Sequence, residues 1–69
     1  MTDSLFSAIS NANRRVPDVT FLALIGRAEQ PITLCMCADH LIPVTLYQGG
    51  DLAVALETLE RAVATLERR

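Results

Sequence analysis

"DVTFLALIG" (Asp18–Gly26) and "PITLCMCA" (Pro31–Ala38) decide the fold. Both runs are dense in β-branched and apolar residues, so each predicts a strand, and "GRAEQ" (Gly26–Gln30) between them predicts a hairpin loop. "LIPVTLY" (Leu41–Tyr47) follows Asp39 and His40, which read as a tight turn, and supplies a third strand. Pro43 has no N–H to give to a ladder, which places this strand at an edge.

A meander pairing then predicts a register. With Ile25 opposite Ile32, Phe21 faces Met36; with Asp39 and His40 as the turn, Leu34 faces Thr45 and Cys35 faces Val44. One side of the sheet would carry Val19, Phe21, Ala23, Ile25, Ile32, Leu34, Met36, Leu41 and Tyr47. The other would carry Leu22, Leu24, Cys35, Cys37, Ile42, Val44 and Leu46. Both sides are apolar, unlike the alternation of an antiparallel sheet with one wet face. Either two helices cover the two faces, or another chain covers one.

Helices flank the strands. Upstream, Ser4 is positioned to cap a short helix that carries Leu5, Ile9 and Ala12 on one face, with Arg14 and Arg15 in its last turn. Val16 precedes Pro17 and is pushed out of helical geometry, so the helix ends there. Downstream, Gly49 and Gly50 break the third strand and Asp51 caps a helix in which Leu52, Leu56, Leu59, Val63 and Leu66 recur at spacings of four, three, four and three. Glu57 and Arg61 form an (i, i+4) pair of the favourable orientation. The elements predict one α+β domain over residues 1–69: a short N-terminal helix, a three-stranded antiparallel β-meander, and a long C-terminal amphipathic helix packed on the sheet.

Composition narrows the function classes. A chain of 69 residues hides only about 60% of its unfolded surface, so its stability is marginal without a disulfide, a metal or a second copy. With 51% hydrophobic residues and a mean hydropathy of +0.31 the chain is too apolar for disorder, yet no run reaches the roughly 18 apolar residues of a membrane span. The net charge of −2 and pI near 5.1 speak against general nucleic-acid binding. "MTDSLFSAIS" at the N-terminus lacks the basic and apolar regions of an export signal, so a cytoplasmic protein is expected.

"LCMCADH" (Leu34–His40) is the one stretch that concentrates chemistry. On a strand, Cys35 and Cys37 point to the same side, beside apolar neighbours, where free cysteine acts as a small hydrophobe. A structural zinc site takes four ligands, and two cysteines with His40 leave Asp39 as an untypical fourth. The reading is reduced, buried thiols with no metal and no cofactor. His40 stands without a serine nucleophile motif, and no Gly-rich phosphate loop is present, so no enzyme is expected.

Two surfaces remain as candidates for binding. Tyr47 is the only tyrosine and tyrosine often anchors interfaces, which singles out Leu41, Pro43, Thr45 and Tyr47 along the third strand as a partner-binding patch. The up-down-up topology also brings the end of the last helix back to the start of the first strand, so Arg14, Arg15, Arg68 and Arg69 would gather at one edge and could hold a phosphate-bearing anion. The first reading leads: a small non-catalytic protein–protein interaction module, an adaptor or inhibitor of a larger protein, assembled as a homodimer. The anion binder is the alternative.

Overall fold

The computed structural model describes residues 2–26, 31–38 and 42–68. Helix α1 (Thr2–Arg15) leads into strands β1 (Val19–Ile25), β2 (Ile32–Ala38) and β3 (Val44–Gly49), and helix α2 (Leu52–Glu67) closes the order. The sheet is an antiparallel meander of order β1-β2-β3. Helix, sheet and helix match the expected α+β architecture, and no helix among the described residues is long and apolar enough to cross a membrane.

Helix α1 starts before the expected position. Ser4 lies inside it rather than at its cap, because the turn from Thr2, with Asp3 near the helix N-terminus, is itself helical. Its end is as expected, with Val16 donating to the Ala12 carbonyl at 2.9 Å just before Pro17. At the other helix, Asp51 caps α2: its carboxylate accepts from the amides of Ala53 at 3.0 Å and Val54 at 3.3 Å.

In the first hairpin, Phe21 pairs with Met36 and Ile25 with Ile32, as the pattern predicts. The Gly26 amide donates to the Pro31 carbonyl at 3.5 Å beneath the connection. Residues 27–30 of the hairpin loop, and the turn expected at Asp39 and His40, lie outside the described residues.

The second hairpin departs from expectation. Strand β3 begins after Pro43 and runs on through Gly49, and Cys35 pairs with Thr45 while Leu34 pairs with Tyr47. Leu46 is the extra residue of a β-bulge between those two pairs. Paired residues of an antiparallel ladder share a face. The shift therefore moves Val44, opposite Met36, and Leu46 to the side that the simple register assigned to Tyr47, and sends Thr45 to the other. Tyr47 keeps its side because the bulge adds the one residue needed to restore it.

Both helices lie on one side of this sheet. Leu5, Ile9, Ala12 and Val16 from α1 and its end join Val19, Phe21, Ile32 and Leu34 from the strands and Ala55, Leu59 and Val63 from α2 in a single buried cluster. Phe21, Leu5, Leu34 and Val63 are its largest fully buried side chains. The buried line of α2, Ala55–Leu59–Val63, has spacing i, i+4, i+8, with Leu52, Leu56 and Leu66 half-buried on its flanks. The molecule has two layers, helices over sheet, and the opposite face of the sheet has no layer among the described residues.

Candidate functional site

Three cross-strand rows make up the uncovered face. Leu24, Thr33 and Gln48 form one, Leu22, Cys35 and Thr45 the next, Thr20 and Cys37 the third. None of these side chains is buried, and Leu24 is 62% exposed. Gln48 reaches across its row to the Thr33 hydroxyl at 3.5 Å. Cys35 is the middle residue of the middle strand and so stands at the centre of the face. No strand contains a charged residue or a histidine, so the strand residues of this face bring no charge and no titratable group apart from the thiols.

Cys35 and Cys37 are free and half-buried here, rather than in the core as expected. The sequence places them correctly on the side away from Leu34; it is the helices that choose the other side. Among the described residues no group of three or more His, Cys, Asp and Glu side chains comes together. Asp39 and His40 lie outside the described residues.

The edges of the sheet are guarded where the face is not. At β1, the Asn13 side chain of α1 accepts from the Phe21 amide at 2.7 Å and donates to the Phe21 carbonyl at 3.1 Å. It occupies the outward backbone pair that another strand would use. At β3, the bulge at Leu46 and the preceding, exposed Pro43 interrupt the ladder.

The expected partner-binding patch along β3 is divided by the bulge. Thr45 is exposed on the open face and Pro43 is exposed ahead of the strand, whereas Leu41 lies outside the described residues. Tyr47 is half-buried on the helix side, where its hydroxyl accepts from the Asp51 amide at 3.0 Å. Its ring lies over Gly49, where a methyl group would sit 2.8 Å from Cζ. Tyr47 therefore braces the turn into α2.

The arginine edge is likewise divided. Arg15 grips Glu67 through two hydrogen bonds, Nε to Oε2 at 3.0 Å and Nη2 to Oε1 at 2.6 Å, and reaches Glu60 at 3.3 Å through Nη1. The hydrogen bond to Glu67 raises the Arg15 pKa, and the reciprocal bond from Arg15 lowers that of Glu67. Arg15 thus clasps the ends of α1 and α2. Arg14 and Arg68 are exposed, and Arg69 lies outside the described residues.

A second apolar feature lies on the helix side. A cavity of about 310 Å³ opens between β3 and α2, lined by Met36, Leu46, Ala62 and Leu66 with Thr58, Thr65 and Arg61. It is a groove left where α2 does not reach the start of β3, and Val44 beside it is 50% exposed. The simple register hides this groove, because it turns Leu46 and Val44 to the opposite face. Asn13 was equally hidden: its partner is eight residues away and on another element.

Compared with protein-family models, with curated proteins and with solved structures, the chain matches none of them.

Proposed function

We propose that the chain is a small non-catalytic protein–protein interaction module, an adaptor or inhibitor, that works in the cytoplasm through the open face of its sheet. One observation carries the reading: both helices share one side of a sheet whose other side bears Leu22, Leu24, Cys35 and Cys37 uncovered. Antiparallel sheets do present one face to water, but that face is then ordinarily polar. Here its polar members are threonines and a glutamine, which hydrogen-bond at an interface without bringing a charge to desolvate.

The reading replaces the β3 patch with the sheet face and leaves the arginine edge a structural part. Arg15 already has two carboxylate partners, which supports reading that edge as structural.

Capture of binding proteins from lysate by immobilised wild type, Leu24→Arg and Arg14→Gln/Arg68→Gln tests it. Wild type and the arginine variant should retain the same protein, and Leu24→Arg should lose it while its circular dichroism is unchanged. Retention by Leu24→Arg with loss in the arginine variant would place binding at the arginine edge instead.

A further inference from the structure

Independently of any protein that docks on the open face, we infer that Cys35 and Cys37 form a chelating two-thiolate site for a soft, two-coordinate cation, Cu(I).

Spacing is the first ground. Both thiols are free, half-buried and on the same face of β2. Two residues along a strand lie about 6.7 Å from each other. A disulfide needs its Cβ atoms within about 4.5 Å, so the strand holds the pair apart as thiols. An ion between two thiolates, at the roughly 2.3 Å of a metal–thiolate bond, needs sulfurs only about 4.6 Å apart. Rotation about the two Cα–Cβ bonds supplies that approach without moving the backbone. Strand β2 is central, and Cys35 is paired on both sides, with Leu22 and with Thr45. The spacing is therefore set before the ion arrives, which lowers the ordering cost of binding.

The donor set selects the ion. Thiolates are soft ligands and favour Cu(I). Structural zinc takes four ligands, and among the described residues no third His, Cys, Asp or Glu joins the pair. Calcium and magnesium take oxygen ligands, and the strands carry no carboxylate. A two-coordinate ion asks for two sulfurs and nothing more, so the missing ligands that speak against zinc do not weigh against it.

The neighbours suit the charge that results. On binding, each thiol gives its proton to solvent, and Cu(I) between two thiolates leaves one negative charge on the site. Thr45 stands opposite Cys35 and Thr20 opposite Cys37, about 5 Å away between Cβ atoms as in any directly paired row, where a hydroxyl can donate to a charged sulfur. No strand residue brings a carboxylate to repel it.

Anaerobic titration of the reduced chain with Cu(I), in competition with bicinchoninate, tests the inference, together with X-ray absorption and sedimentation of the loaded protein. Expected are one Cu(I) per chain, two sulfur neighbours with no nitrogen or oxygen, and a sedimentation coefficient that copper does not change. Cys35→Ser and Cys37→Ser should each weaken binding by at least about a hundredfold, the loss expected when a second, intramolecular contact is removed, with unchanged circular dichroism. Met36→Leu, which removes a sulfur from the opposite face, should leave the affinity as it is. Copper left entirely with the indicator overturns the inference, and so does a single-serine variant that binds as tightly as wild type. A nitrogen or oxygen ligand, or copper-dependent pairing of chains through one thiol each, overturns it as well.

Discussion

Phe21 and Leu22 are neighbours on β1, yet Phe21 is 1% exposed beneath two helices and Leu22 stands half-covered on a face with no second layer among the described residues. Sequence treats them alike, since both are large and apolar. What separates them is which way the helices fall, and that is settled by contacts distant in the chain: Arg15 to Glu67, Asn13 to Phe21, Ala12 and Ala55 with Leu59 in one cluster. The covered face holds the fold, and the open one takes no part in the buried core.

The sharpest way to break this comparison is to cut both faces equally. Phe21→Ala should cost about 3–5 kcal/mol and leave so small a domain largely unfolded, whereas Leu24→Ala on the open face should shift stability by under about 0.5 kcal/mol. Urea titration followed by circular dichroism measures both. Comparable losses at the two positions would mean that the open face is packed as well.

Asn13→Ala sharpens the comparison at the sheet edge. Removing both hydrogen bonds from the Phe21 backbone should cost about 1–3 kcal/mol, since the Phe21 amide and carbonyl are left partly shielded from water. Hydrogen exchange should show faster loss of the Phe21 amide in this variant than in wild type. An unchanged exchange rate would show that the edge is held without Asn13.

The smallest effect concerns the clasp that keeps both helix ends together. The Arg15 hydrogen bond lowers the Glu67 pKa in the folded chain, so its stabilisation is present above the ordinary carboxylate range and is lost as pH falls through the folded value. Glu67→Gln should accordingly melt below wild type at neutral pH, with the gap closing on acidification through the carboxylate range. Both partners are partly exposed, at 34% and 38% for their side chains, so the gap should also narrow in salt.

Local signals in the sequence carried most of the architecture. The Val16–Pro17 stop, the Asp51 cap, the stripe of α2 and the pairing of β1 with β2 each rest on neighbouring residues, and each is found in the structure. The bulge is different in kind. Its trace in the sequence is the adjacent apolar pair Leu46–Tyr47 between the polar Thr45 and Gln48, which strict alternation passes over, and one added residue was enough to move Val44 and Leu46 to the groove side. The candidate site was half legible for a related reason. Alternation groups Leu22, Leu24, Cys35 and Cys37 on one face correctly, and Thr20 and Thr33 on that same face are the local clue, passed over when only apolar residues are grouped, that the helices take the other.

The absence of charge on the strands carries over into kinetics. Uncharged strands add no local steering, so any association on them would run near the unsteered rate of about 10⁵–10⁶ M⁻¹ s⁻¹, modified only by the field of the whole molecule with its net charge of −2. Such a rate should vary only weakly with ionic strength, through the net charge of −2, over the range where charged interfaces slow by orders of magnitude. Sulfate, which strengthens apolar burial, should lengthen the lifetime of the contact rather than hasten its formation. Selectivity on such a face then lies in how long an encounter lasts, because nothing in its approach distinguishes one partner from another.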